Sequence, residues 1–528
     1  MSFLKNVISF SLLSFLIICF GCQNERNAGS DNALEAIPQN ATVVTAFDLP
    51  TLMEKANFEA IKKMDFYRFF MEKAAEESDI LATVLANPEN AGIDLSKNAY
   101  VSIELNPDNP EEIYTGIIFN LTSPQDFSNF ANSFQEVRTG QRNDYQFADL
   151  NDATQLAWND QVGILALGEG IYEMEEIINS FFTPSQETSL ANNENLLNLL
   201  SEKHDITTWL TSNALAKNKN AKFVLSLAKI KPEAINDNFI HGHVDFEAGK
   251  VNTQLNYFFQ DALIEDVNLL FKENVKTDFS AYITGENLNI YLSAALDFAG
   301  LHTALSKRPQ VKMFADFALK SYGLSIDKLK NALDGDFVFT TYTGNVNNRQ
   351  EGLFAIKLND QTQFEAFLAV AEENDLVTKT GNGRYIIAPS LNKMVANILP
   401  FDMDIGSAFD NQLMLQDGIA FIAGNIARLD DIEKGNINGT KQLPVNINQM
   451  VNQNPLSLFV DFNALKRVGI LNTESLNLLE LIGNKKGANF QLSMQNQQIN
   501  SLQAIFEAIN KVFVEDKEQK QPVSQEKS

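Results

Sequence analysis

Val43-Val44-Thr45-Ala46-Phe47-Asp48-Leu49 returns later in the chain as Leu292-Ser293-Ala294-Ala295-Leu296-Asp297-Phe298, with Leu52 matched by Leu301. In both places an apolar run ends at an Asp and a helical pattern follows. This is how a strand running into a capped helix reads. Three further pairs follow in the same order. Ile117 to Ser123, with Phe127 and Phe130, matches Phe354 to Asp360 with Phe364 and Phe367; Asp160 to Ala166 matches Asp417 to Ala423; Trp209 to Leu215 matches Phe459 to Leu465 through a shared Asn-Ala-Leu. Four ordered blocks whose offsets differ only by loop-sized insertions predict two tandem copies of one domain.

Within each copy the local signals alternate between hairpins and helices. Ser123-Pro124-Gln125-Asp126 offers a capping oxygen, a proline in the first turn and an acid near the positive helix end. Asp360 with Gln363 is the matching capping box. Turns are marked by Asn382-Gly383, Asn159-Asp160, Gln416-Asp417-Gly418 and Glu247-Ala248-Gly249-Lys250. Each copy then closes with a strand and an apolar-faced helix, carrying Leu263, Ile264, Val267, Leu270 and Phe271 in one case and Ile505, Phe506, Ile509, Val512 and Phe513 in the other. The expected class is α+β, with a mainly antiparallel sheet and helices packed on one face in each copy. The expected division is a signal segment over 1–22, a tether over 23–35, copies over 36–272 and 289–514, and a disordered tail over 515–528.

The chain has 528 residues, 45% of them hydrophobic, and a net charge of -26. That length and apolar content exclude wholesale disorder and fit more than one core. An acidic surface repels phosphate backbones, so no nucleic-acid partner is expected. At the N-terminus, Lys5 precedes an apolar run from Val7 to Phe20 that ends in Gly21-Cys22. A basic start, an apolar run too short for a stable span and a small residue at the end read as a secretory signal. A Cys directly after Gly21 resembles the bacterial lipobox, which implies cleavage before Cys22 and acylation of it. Cys19 is the one other cysteine and falls in the removed segment, which leaves no disulfide and no thiol chemistry in the mature chain. The expected partner is the membrane, through lipid on Cys22, with an envelope protein or an apolar ligand as the further candidates, and the expected place is the cell envelope as an outer-membrane lipoprotein on either its periplasmic or its surface face.

No Gly-x-Ser-x-Gly elbow, phosphate loop, dinucleotide-binding fingerprint or His-Glu-x-x-His occurs. Four histidines exist: His204, His241, His243 and His302. Strand periodicity puts His241, His243 and Asp245 on one face, where two imidazoles and a carboxylate could hold a transition metal. A solvated strand face is the alternative, and self-comparison favours it: aligning Phe246 with Met494 sets Asn489, Gln491 and Ser493 opposite the three candidates. The acid pairs Asp334/Asp336 around Gly335 and Asp402/Asp404 before Gly406 read as turn and cap residues. The pairs Phe69-Phe70, Phe181-Phe182 and Phe258-Phe259 read as core. No catalytic residue, cofactor or resident metal is expected.

The lipobox, the stretch Ile37-Pro38-Gln39-Asn40-Ala41 leading into an apolar strand and Asp48, and the two long copies together resemble an uncharacterised lipoprotein family of Bacteroidota-type envelopes, built on a domain of unknown function. The resemblance implies an envelope location and brings no activity with it. The expected function is that of a lipid-anchored, non-enzymatic binding or scaffold module. The alternatives are a carrier of an apolar ligand and an enzyme with an unrecognised carboxylate site.

Overall fold

The computed structural model describes residues 31–39, 41–77, 83, 86–105, 113–134, 137–142, 144–151, 153–168, 171–182, 189–213, 216, 218, 222, 225–226, 231–320, 325–343, 350–381, 383–389, 412–423, 425–436, 443, 445–467 and 474–520. The signal segment, Cys22 and the Asp402/Asp404 pair lie outside them, as does Asn382. The protein is α+β, with extensive antiparallel sheet, and its chain falls into two units. The first comprises Met1–Phe223, Ile235–Phe258 and Met494–Ser528; the second comprises Val224–Ala234 and Phe259–Ser493. These are not the contiguous stretches 36–272 and 289–514 read from the sequence.

The strands of the first unit are β1 (Val43–Phe47), β2 (Ala99–Leu105), β3 (Ile113–Asn120), β4 (Arg138–Gln141), β5 (Gln146–Asn151), β6 (Thr154–Trp158), β7 (Val162–Leu167), β8 (Ile206–Thr211), β9 (Phe239–Glu247) and β10 (Lys250–Phe258). They pair antiparallel in the order β4-β5-β6-β7-β3-β2-β1-β8-β9-β10. The central strands β3 and β7 carry apolar runs without alternation, over 117–119 and 162–167, so neither face suits water there. Ile117, Phe119 and Leu165 look into one core with the helices Leu49–Ala56, Asp65–Glu77, Pro124–Ala131 and Ser501–Lys520. Ile118, Ile164 and Ala166 look into a second, with Asn32–Ala36, Ile171–Phe182 and Glu194–Ser201. Helices therefore cover both faces of the sheet, and the expectation of one covered face is corrected by these continuous apolar runs.

Caps fall where the sequence puts them. Asp48 accepts from the Thr51 amide at 3.1 Å and Ser123 Oγ from the Asp126 amide at 3.2 Å. The segment expected as a tether up to residue 35 is partly structured. Asp31 caps the helix Asn32–Ala36, and Ala33 and Leu34 are buried, because two apolar side chains at that point have a core to enter.

The closing helix of the chain, Ser501–Lys520, belongs to the first unit, not to the stretch it follows in sequence. Phe506 stacks on Phe66 at 6.4 Å and Phe513 packs on Phe69 at 5.3 Å, while Asn510 Oδ1 accepts from the Phe66 amide at 3.1 Å. This helix also runs through Lys520, so residues 515–520, expected to be disordered, are helical; once a packed face has nucleated a helix, good helix formers extend it at little cost. Residues 521–528 lie outside the described ones.

In the second unit the strands are β11 (Leu288–Ala295), β12 (Leu333–Thr343), β13 (Gln350–Leu358), β14 (Val377–Gly381), β15 (Arg384–Ile387), β16 (Gln412–Gln416), β17 (Ile419–Ala423), β18 (Leu456–Asp461), β19 (Leu476–Asn484) and β20 (Gly487–Met494). Their order is β14-β15-β16-β17-β13-β12-β11-β18-β19-β20. The helix Gln361–Glu373, capped by Asp360 on the Thr362 and Gln363 amides, follows β13 as Pro124–Ala131 follows β3. The helix Asp261–Asn268, which follows β10 in sequence, is part of this unit. Past it, the Lys272 amide donates to Ala295 O at 3.0 Å and the Asp297 amide to Leu270 O at 2.9 Å.

Asp334 and Asp336 are not turn or cap residues. They enter β12 at a register shift between Leu333 and Phe337, where Gly335 has φ +109 and a Cβ would lie 1.9 Å from Leu296 O. The fully buried Asp336 carboxylate accepts from the Lys276 and Thr277 amides, both at 2.8 Å, and pairs with Lys272 Nζ at 2.9 Å. Burial pushes its pKa up, but Lys272 and the Thr277 bonds outweigh that and hold it below the ordinary carboxylate value.

Phe506→Ala removes an aromatic ring that is 3% exposed and is expected to cost roughly 3–5 kcal/mol. Hydrogen exchange should show lost protection over Asp65–Glu77, far from the substitution in sequence. Unchanged protection there would refute the assignment of the closing helix.

Candidate functional site

The richest cluster of titratable side chains in the described part of the first unit lies where the chain enters β8. The helix Glu194–Ser201 ends, Lys203 takes a left-handed φ of 57, and His204 and Asp205 follow. Two carboxylates then brace this entry against β9. Asp205, almost fully buried, pairs with Lys55 Nζ at 2.7 Å and accepts from the Phe246 amide at 2.6 Å. In return, Asp245 Oδ1 accepts from the Asp205 amide at 3.3 Å and Asp245 Oδ2 lies 2.8 Å from His204 Nδ1. The other ring nitrogen of His204 faces Glu202 Oε2 at 3.3 Å.

Of the three strand residues singled out in sequence, the structure brings His243 and Asp245 into this cluster. His243 stacks on His204 with ring centroids 3.5 Å apart and planes 2° from parallel, and its Nε2 lies 3.9 Å from Asp245. His241 sits one pleat away, beside Phe239. Burial lowers the pKa of His243, with His204 and His241 acting in the same direction against Asp245 and Glu202; burial also lowers that of His241. The Nδ1 atoms of both rings are buried without a hydrogen-bond partner among the described residues.

Glu202 and His204 were not grouped with the strand residues in sequence. The polar run Glu202-Lys203-His204-Asp205 immediately before an apolar strand is the signal that marks them. The self-comparison also paired the wrong strands. β9 holds in the first sheet the place that β19, not β20, holds in the second. By register Trp209 faces His241 and Phe459 faces Glu480, while Thr207 faces His243 and Ser457 faces Ile482. The second unit thus sets Glu480 and Ile482 where the first has His241 and His243.

One possible ligand atom from each of Glu202, His204 and His243 lies within 4.8 Å of the other two. They are the described residues best placed to hold a metal. A zinc-like ion needs imidazole lone pairs converging in plane at about 2.0–2.1 Å. Parallel stacked rings point their lone pairs side by side, so the stack would have to open first. Next to the cluster is a cavity of ≈ 230 Å³ bordered by Asp31, Asp48, Ser96, Lys97, Lys203 and His204, with charges of both signs.

A half-buried acid with a strongly shifted pKa was not foreseen either. Glu104 on β2 shares a strand face with Ser102, and both border a cavity of ≈ 10 Å³ walled by Tyr114, Ile177 and Phe181, room for about one water. Burial raises its pKa to about 7.

Two pH responses follow from these shifts. The unfolded chain takes up protons at His241 and His243 below about pH 6.5 that the folded chain resists, so their stability contribution holds above that pH and is lost below it. Between about pH 7 and 5 the melting temperature of the wild type should therefore fall relative to that of His241→Asn/His243→Gln, a comparison in which the opposite response of Glu104 cancels; a chelator should not shift it. A chelator-sensitive melting temperature that disappears in His204→Asn would reverse the reading of the stack. For Glu104 the sign is opposite: a raised folded-state value favours folding below about pH 4.5, and the benefit is lost as pH rises through about 7. Glu104→Gln should stabilise by roughly 2–3 kcal/mol at pH 8.5 and by almost nothing at pH 4. Equal effects at both pH values would contradict it.

Among the described residues no helix is long and apolar enough to cross a membrane. No curated protein matches the chain. Two crystal forms of TP0453 are similar to parts of it. Form I gives 10% identity and a TM-score of 0.25 over 44% of this chain and 81% of that one; form III gives 9% and 0.24 over 48% and 91%. Those likenesses are too slight to bear on fold or function. The chain belongs to the family described as Domain of unknown function (DUF4836), which matches residues 34–342.

Proposed function

We propose that this DUF4836 chain is a lipid-anchored binding or scaffold protein of the cell envelope, held at the outer membrane through acylated Cys22. The observation that carries the reading is the position of Cys22, directly after Gly21 at the end of the apolar run from Val7 to Phe20. Two or three acyl chains on one residue suffice for stable anchoring without a membrane span. We also infer that the two units descend from one domain by duplication. Identical strand order in the two sheets supports this, as does the position of the four sequence blocks on β1/β11, β3/β13, β7/β17 and β8/β18.

The binding role is supported by the cavity beside His204, which offers carboxylates, lysines and a hydroxyl from several segments of the first unit. A polar, small ligand suits that lining better than an apolar one. The water-sized space at Glu104 is too small for the carrier alternative.

Mass spectrometry of the mature N-terminus should find a diacylglyceryl-modified Cys22, and Cys22→Ala should release the protein from the membrane or halt its processing. An unmodified N-terminus beginning elsewhere would overturn the anchoring.

A further inference from the structure

We infer that the helix Pro309–Lys320 of the second unit is a membrane-contact element that lays Met313, Phe314 and Phe317 into the interfacial layer of an anionic bilayer. No residue of this helix is buried. Met313 is 61% exposed, Phe314 57% and Phe317 76%, the last being the most exposed large hydrophobic side chain among the described residues. At 100° per residue these three share one face, while the half-buried Val311, Ala315 and Leu319 share the opposite one, toward the rest of the unit. The helix is therefore seated on one side and presents three large apolar side chains on the other.

Charge points to the occupant. The whole chain carries -26, yet residues 298–332 hold six basic side chains, Lys307, Arg308, Lys312, Lys320, Lys328 and Lys330, against two acidic ones, Asp316 and Asp327. Both acids are engaged locally. Lys312 pairs with Asp316 at 3.0 Å and with Asp327 at 2.8 Å, His302 reaches Asp327 at 2.7 Å, and Asp316 also accepts from the Ile326 amide at 2.8 Å. Lys307 also meets Glu265, outside this stretch, at 3.8 Å, which leaves a smaller positive excess around the apolar face. Lys307 and Lys320 flank the apolar residues at either end, and exposed Lys320 has a stem long enough to lie along the acyl boundary and lift its ammonium group to the phosphates. A protein-binding centre favours a pocket with lysine depleted. A convex helix framed by lysines fits a lipid surface better, and the local excess offsets the repulsion that the acidic remainder would feel there.

The inference does not depend on acylation of Cys22 and is tested without it. In the full chain, Cys19→Ser and Cys22→Ser remove the only two cysteines. Gln310→Cys, on the apolar face beside Met313, Phe314 and Phe317, is labelled with an environment-sensitive fluorophore. Vesicles of phosphatidylcholine with about 30% phosphatidylglycerol should shift its emission to the blue, and pure phosphatidylcholine or about 0.5 M salt should weaken the response. Phe314→Asp/Phe317→Asp, both at exposed positions, should keep the melting temperature and bind the vesicles at least ~10-fold more weakly. A probe that stays in water on anionic vesicles, or shifts equally in the double Asp variant, overturns the inference. So does a shift produced by solubilised envelope protein without vesicles, which would make the face a protein site. Because acylation is read separately at the N-terminus, failure of one reading leaves the other standing.

Discussion

A strand segment that is apolar at consecutive positions has no face to give to water, and the rest of the fold answers to that. β3 and β7 carry such runs in the first unit, with Ile117, Phe119 and Leu165 on one side and Ile118, Ile164 and Ala166 on the other. β13 and β17 do the same in the second, with Ala355 and Phe421 facing one cluster and Ile356 and Ala420 another. Two layers of helix are then required for each sheet. The first unit gathers them from three stretches of chain: the helix before β1, those between β1 and β8, and the helix Ser501–Lys520. An alternating strand pattern would have accepted one layer and left the other face in water.

What the sequence made legible was local or repeated. Caps at Asp48, Ser123 and Asp360 and turns at Asn159 and Asp417 depend on a few adjacent residues, and each is where composition puts it. The equivalence of blocks such as Val43–Leu49 and Leu292–Phe298 was visible because strand, Asp and helix recur together. The allocation of helices to units was not legible. An apolar helix face says that it must be covered and not by what, so the pairing of Phe506 with Phe66 and Phe513 with Phe69 has no trace in local pattern. The count of covered faces was also misread, although the unbroken run Val162 to Leu167 contained the answer.

The candidate site shows the same limit at closer range. Period-two alternation placed His243 and Asp245 on one face, and that part holds. His204 reaches them only because Lys203 turns the backbone into β8 beside β9, a meeting of residues about forty positions apart. Hairpins of equal period align with either of their own strands, which is how β9 came to be compared with β20. The registers against β8 and β18 decide between them, and they show a cluster particular to the first unit, since Ile482 stands opposite Ser457 where His243 stands opposite Thr207. A role for this cluster is therefore a role for one unit and not for both.

The placement of the last helix also sets an order of events. A chain is made, and if exported is moved, from its N-terminus. The first sheet emerges early, yet Phe66 and the buried residues around it wait for Phe506 near the other end. Until then a broad apolar floor lies open, the condition under which nascent chains aggregate or need a holding chaperone. Completion of this core then waits on residues 444 positions further along the chain, as the bond from the Phe66 amide to Asn510 shows. A chain cut short by only its final helix is then deprived of its beginning as much as of its end.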